Sequence, residues 1–359
     1  MTSGIQKLGK TLGESMKQAK ARGETQGLQA GGVSSLFVFA DYKFRVRVTK
    51  VLIETQSIGG DTLIWGNATF GIWNSFKWGN SATTSFILGN SLAGVLGTSK
   101  LGSQSSSYQT VEEIILTQTI PTIAKQEIAK WIASESATSP THMALGTSST
   151  AYTDSDTALG AEIARKTISI DVATDKKVEY EMEILSTDTA YHSDTFREVG
   201  LLNNSVGGTL FSRNIISAFN LDAATNARIT VTYDLSDISA GTALFTTAGL
   251  NQTRNWLGSS SATAPGYTAW GTGTSATAPG DTTLEGETER NAFSTTNRVG
   301  NLVTFESILA KGEANGDTIT KSGNFNAATV GTLFTEVLYG GINKSSLFKI
   351  FETDRMQVL

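Results

Sequence analysis

The stretch "PTHMALGTSSTAYTDSDTALGAEIAR", Pro140 to Arg165, returns 125 positions later as "PGYTAWGTGTSATAPGDTTLEGETER", Pro265 to Arg290. Ten of the 26 aligned positions are identical without a gap, more than a Thr- and Ala-rich background supplies by chance. Besides two alanines, Ala144/Ala269 and Ala151/Ala276, the shared residues are specific: Pro140 and Pro265, Gly146-Thr147 and Gly271-Thr272, Asp156-Thr157 and Asp281-Thr282, Leu159 and Leu284, Glu162 and Glu287, Arg165 and Arg290. Upstream, "IAKQEIAKWIASESATSP" lines up with "AGLNQTRNWLGSSSATAP" and sets Trp131 opposite Trp256. Downstream, "GTLFSRNIISAFN" matches "GTLFTEVLYGGIN" with the offset reduced to 123. The chain therefore carries two divergent copies of one unit of about 115 residues.

Composition bounds what that unit is. The chain has 359 residues, enough for two or three domains. Only 17% of its residues are charged, and Gly, Thr, Ser and Ala are dense, the palette of a turn-rich β protein. The net charge is −5 and the basic residues are dispersed, so the clustered Lys/Arg footprint of a nucleic-acid binder is missing. With no cysteine there is no thiol chemistry, no disulfide and little basis for a zinc site. No apolar run reaches the roughly 18 residues of a membrane span, and the first residues lack the apolar core of a signal peptide. A soluble protein made in a cytoplasm is expected.

Ahead of the repeats, "GIQKLGKTLGESMKQAKARGE" places Ile5, Leu8, Leu12 and Met16 on one narrow helical stripe opposite Lys7, Lys10, Lys17, Lys20 and Arg22. The stripe admits a helix docking on partner subunits, an amphipathic membrane-surface helix or a partly disordered tail; the first is preferred as an assembly contact. "LFVFADYKFRVRVTKVLIET" alternates with period two and predicts a strand with one apolar and one basic face, solvated or set against an acidic partner. From Asp61 onward a Gly-Asn refrain follows large apolar residues and predicts short strands and tight turns. Trp65, Trp73 and Trp78 in that segment read as aromatic core or, alternatively, as a glycan-stacking platform.

Each repeat opens on a short helix, marked by "PTIAKQEIAKWIA" and "GLNQTRNWLG". Asp156 and Asp281 favour a local turn, Leu159 and Leu284 supply an apolar anchor, and Glu162 with Arg165, or Glu287 with Arg290, can pair across the turn. With Trp131 and Trp256 they are fold-defining anchors. Long alternating strands follow and no further long helix. The expected fold class is mainly β: tandem antiparallel β-sandwich-like domains, each with one short helix, preceded by an N-terminal helix and a small β segment. The expected divisions are a docking helix at 1–30, a β-rich segment and linker at 31–110, and modules at 111–238 and 239–359.

The helix ending in "AKWI", the Pro140–Arg165 phrase, "REVGLLNNSVGGTLFSRN" and "NARITVTYDL" together resemble a module of tail-fibre, baseplate-associated and other virion proteins of tailed bacterial and archaeal viruses. The second copy keeps "GTGTSATAPGDTTLEGETER" and "GTLF" but has "KSGNFN" where a counterpart of "REVGLL" is expected. The resemblance covers about two thirds of the chain, from Ile115 onward. It implies a structural virion protein, a component that assembles with itself as a trimer or ring and with other virion proteins, and that links or projects host-contacting parts. A carbohydrate- or receptor-binding adhesin touching a host glycan, or a capsid-attached fibre or decoration protein, is the alternative.

Enzymatic readings fare poorly. His142 and His192 lack metal-ligand spacing, Asp154/Asp156 and Glu112/Glu113 read as solvated turn or strand carboxylates, and no phosphate loop is present. No catalytic residue, cofactor or metal is expected.

Overall fold

The computed structural model describes residues 35–57, 108–171 and 175–359. Along the chain run β1 (Ser35–Ser57), β2 (Gln109–Thr119), helix α1 (Thr122–Ile132), β3 (His142–Gly146), β4 (Glu162–Thr167), β5 (Ser169–Asp171), β6 (Lys177–Ile184), β7 (Thr195–Leu202), β8 (Leu210–Asn220) and β9 (Thr225–Asp237). They are followed by β10 (Ala243–Phe245), helix α2 (Thr247–Leu257), β11 (Tyr267–Gly271), β12 (Glu287–Ala292), β13 (Thr295–Val299), β14 (Leu302–Leu309), β15 (Thr318–Phe325), β16 (Leu333–Asn343) and β17 (Lys349–Val358). The protein is mainly β. Among the described residues no helix is long and apolar enough to cross a membrane.

The alternation of β1 buries Val38, Ala40, Tyr42, Phe44, Val46 and Val48 on one face, while Phe37, Phe39, Asp41 and Lys43 face outward. Both of its edges are used. One pairs antiparallel with β9 from Phe44 to Ser57. The other pairs parallel with β17 from Ser35 to Phe44 and then antiparallel with β2 from Arg47 to Thr55. Strand β1 thereby joins the repeats in one eight-stranded sheet, ordered β13-β14-β17-β1-β9-β6-β5 with β2 beside β1.

Corresponding strands of the repeats occupy corresponding places. In the first module β4-β3-β7-β8 form a second sheet, and in the second module β12-β11-β15-β16, extended by β10, form its equivalent. The registers agree residue by residue: Leu145 faces Val199 as Trp270 faces Ser322, and Met182 faces Ile229 as Ser307 faces Glu352. Since β9 runs antiparallel and β17 parallel to β1, the two halves of the large sheet are related by an approximate two-fold rotation.

The helices exchange across that axis. Helix α1 lies on its own β8 but also on β17 and β14 of the other repeat, and α2 lies on its own β16 and on β6 and β9. Each helix begins alike, with Thr122 N–H donating to Asp154 O at 2.8 Å and Thr247 N–H to Pro279 O at 2.7 Å. Each ends at a serine in left-handed conformation, Ser134 (φ 58°) and Ser259 (φ 51°). At the axis the equivalent residues Trp131 and Trp256 stack at 5.5 Å between ring centres, with Trp131 against Phe334 and Trp256 against Phe211. Arg298 pairs with Glu135 at 2.9 Å, adding an ionic contact between the repeats.

Three details differ from the sequence reading. Residues 35–57, read as part of a separate segment, form the central strand of the shared sheet, and the β1–β17 ladder is parallel. One of the long alternating stretches, "KTISIDVATDKKVEYEMEIL", is divided among the end of β4, β5 and β6, with Asp175 and Lys176 at positive φ. "KSGNFN" closes β15, the counterpart of β7, and keeps the likeness at Gly323 and Asn326, which match Gly200 and Asn203. The stripe of Ile5, Leu8, Leu12 and Met16 lies outside the described residues.

Trp131→Ala should cost about 3–5 kcal/mol, the usual loss for removing a large buried aromatic ring. In a double-mutant cycle with Trp256→Ala, monitored by denaturant unfolding, a coupling of about 0.5–1.5 kcal/mol is expected. Strict additivity would contradict contact across the axis.

Candidate functional site

The repeat phrase builds the same clamp twice. Arg165 pairs with Glu162 at 2.6 Å and donates Nη1 to the carbonyls of Asn204 and Gly207 at 2.7 and 2.9 Å. Arg290 pairs with Glu287 at 2.7 Å and donates Nη1 to the carbonyls of Ala327 and Val330 at 3.0 and 2.6 Å. Arg165 therefore ties the β3–β4 hairpin to the β7–β8 turn, and Arg290 ties the equivalent β11–β12 hairpin to the β15–β16 turn. Leu159 and Leu284 plug the same hairpins into their sheets. A Cβ on Gly200 would meet Leu159 Cδ1 at 2.4 Å, and one on Gly323 would meet Leu333 Cδ1 at 2.7 Å, which is why both positions are glycine.

Behind each clamp lies a buried ion pair whose signs are reversed between modules. In the first, buried Glu198 on β7 pairs with Arg213 on β8 at 2.6 Å and accepts from the N–H groups of Gly160 and Ala161 at 3.0 and 2.7 Å. Arg213 also reaches Asp156 at 2.8 Å. Burial pushes the Asp156 carboxyl upward, but hydrogen bonds from Thr153 and Arg213 outweigh it and hold the group below its usual range. In the second module Lys321 stands at the place of Glu198 and Glu336 at that of Arg213, paired at 3.0 Å. Lys321 also meets Glu285, the counterpart of Gly160, at 3.4 Å. Burial, together with the neighbouring carboxyl of Asp281, pushes Glu336 up to about 7 against the attraction of Lys321.

The largest divergence is in the core of the second module, between β17 of the large sheet and β11, β15 and β16 opposite. Glu352 and Asp354 point inward and are each only 1% exposed. Their counterparts in β9, by register, are Ile229 and Val231. Around them Thr268, Trp270, Ser307, Ser322 and Asn324 replace Met143, Leu145, Met182, Val199 and Leu201 of the first module. Ser322 hydroxyl donates to Glu352. Asn324 Nδ2 donates to Asp354 and to Thr335 Oγ1, both at 2.9 Å, and Thr268 bridges Ser307 at 2.6 Å and Asn324 Oδ1 at 3.1 Å.

Among the described residues this cluster holds two carboxyl groups and no basic side chain. Glu352 Oε2, Asp354 Oδ1 and the Tyr42 hydroxyl are buried without a full hydrogen bond. Desolvation raises Asp354 to about 7 against the hydrogen bond from Asn324. Glu352 is held well above the ordinary carboxylate range by burial and by the neighbouring charge of Asp354. Burial and the same two carboxyls raise the Tyr42 and Tyr339 phenols. An isolated buried charge is so costly that such groups take up protons. The arrangement is thus suited to storing protons between β17 and the sheet of β11, β15 and β16.

No family model, curated protein or solved structure matches the chain.

Other residues singled out in the sequence lie elsewhere. Asp154 pairs with Lys125 at 3.3 Å, Glu113 pairs with Lys50 at 3.2 Å, and Glu112 accepts from Ser217 N–H at 2.9 Å, so each of these carboxylates has its own structural partner. His142 lies in β3 bonded to Thr141 at 2.8 Å, while His192 follows a 3-10 turn at Thr189–Tyr191. Trp65, Trp73 and Trp78 lie outside the described residues. The Glu352–Asp354 pair was missed in the sequence, although "FKIFETDRMQV" alternates so that Glu352 and Asp354 share a face with Ile350, Met356 and Val358. That polar interruption of an apolar stripe was the available signal.

Arg213→Glu is expected to cost about 3–5 kcal/mol, because it leaves buried Glu198 facing a like charge. Combining it with Glu198→Lys, as the second module does, should recover a substantial part of the loss in thermal unfolding. A double variant no more stable than the worse single one would contradict the equivalence of the two ion pairs.

Proposed function

We propose that the chain is a structural virion protein of a tailed virus, of the tail-fibre or baseplate-associated kind that its repeat phrase resembles, assembling with copies of itself and with other virion proteins. In this reading the paired modules are the rigid body, and the segment before β1 is the docking element. The observation that carries it is the outer face of the eight-stranded sheet. It runs unbroken across both repeats, and at one end Phe37 and Phe39 are 44% and 39% exposed beside Phe351, which stacks on Phe37 at 5.4 Å. Exposed apolar groups gathered on one face mark association surfaces. Charges of both signs accompany them, Asp41 with Arg355 at 2.6 Å, Arg228 with Glu181 at 3.4 Å and Lys177 with Asp234 at 3.8 Å, so a second copy laid against this face meets opposite charges. Residues 1–34, with the stripe of Ile5, Leu8, Leu12 and Met16, immediately precede this end of β1.

The full chain should form a defined oligomer in multi-angle light scattering and be found in purified particles by mass spectrometry. Phe37→Ser with Phe39→Ser should reduce the oligomer mass while leaving the circular dichroism spectrum unchanged. A monomeric wild-type chain absent from particles would refute the proposal.

A further inference from the structure

The two modules share one register but have opposite kinds of core. In the first, the space between the large sheet and its partner is filled by Met143, Leu145, Met182, Val199, Leu201, Ile229 and Val231, all buried. In the second, the matching space holds a linked polar set around two carboxyl groups, while nearby Glu336 is paired with Lys321 at 3.0 Å. Side chains from four strands face the carboxyl pair. Asn324 and Ser322 come from β15, Trp270 from β11, Tyr42 from β1 and Tyr339 from β16; Asp41, on the outer face of β1, adds a further negative charge near Asp354. No basic side chain is among the groups acting on either carboxyl. The side chains that do touch them, Ser322 and Asn324, act as donors, and the second oxygen of each carboxyl is left over. Burial of two adjacent carboxyls away from any opposite charge disfavours their ionised forms, and this outweighs the donors.

We propose that Glu352 and Asp354 make the second module a proton-dependent lock, closed when these buried acids are neutral and loosened when they ionise, while the apolar first module stays closed. The inference is independent of the virion reading. In the unfolded chain these carboxyls titrate at about 4, whereas in the folded protein burial raises both, Asp354 to about 7. The folded state therefore holds protons that the unfolded state has released. Their contribution is fully present below about pH 4 and is lost as pH rises through the folded values near neutrality. Ionisation places like charges between β17 and the sheet of β11, β15 and β16, and parting of those two layers lets water reach them.

Hydrogen exchange followed by mass spectrometry on the full chain, corrected for intrinsic rates, tests this between pH 5.5 and pH 8.5. Protection of β11, β15, β16 and β17 should fall about tenfold or more across the range, and that of β3, β7 and β8 should stay level. In Glu352→Gln/Asp354→Asn the fall should vanish. Equal behaviour of the two modules, or an unchanged fall in the double variant, would overturn the proposal. Should the variant fail to fold, infrared spectroscopy of the wild-type chain decides: a protonated-carboxyl band at pH 5.5 that bleaches by pH 8.5 supports the lock, and its absence overturns it. Calcium binding at pH 8.5 that restores protection in the second module, measured with calcium chloride alone, would also overturn it, since the pair would then be a cation site.

Discussion

Backbone hydrogen bonding along both edges of β1 is the constraint on which the rest of the structure depends. A strand of 23 residues is long enough to serve β17 and β2 on one edge and β9 on the other. Its apolar face, from Val38 to Ile53, lies under both repeats at once, and burial of each such side chain is worth about 1.5–3 kcal/mol. Without β1, the edges of β9 and β17 would be unpaired, and sheet edges of that kind recruit other chains. With it, the repeats are halves of one sheet. The exchanged helices and the Trp131–Trp256 stack then follow from the rotation that β1 imposes.

The repeats also show which features the fold tolerates and which it requires. The arginine clamps, the leucine plugs and the glycines beside them are retained because each solves a local backbone problem: carbonyls in a tight turn, or a close approach of Leu159 to β7. The buried ion pair is retained as a pair but not in sign, since Glu198–Arg213 and Lys321–Glu336 fill the same space with opposite polarity. The core behind it has changed in kind. A buried polar network is stabilising only where its members satisfy one another. Here Asn324, Thr268, Ser307 and Ser322 satisfy most of the set, and protonation of the carboxyls removes the charge that burial penalises.

Much of the fold was legible in the sequence because local chemistry wrote it there. Pro140 to Arg165 and its second copy carry hairpin, plug and clamp within 26 residues, so the repeat was readable before any strand was placed. Alternation in "FRVRV" announced β1 as a strand. Its position between the repeats was not readable, because strand order is set by contacts far apart in sequence, such as Asp41 with Arg355. The polar core was hidden for a similar reason. Glu352 and Asp354 look like solvent-facing charges until the register with β14 and the side-chain contacts with β15 show them to be inside.

The chain contains no cysteine, so introduced pairs report on strand order without background. In a variant carrying Asp41→Cys with Arg355→Cys and Arg47→Cys with Asp234→Cys, mild oxidation followed by peptide mapping should find both disulfides within one chain, because each pair is directly opposed in the shared sheet. Exclusive formation of one pair, or cross-links only between chains, would contradict a single sheet held together by β1.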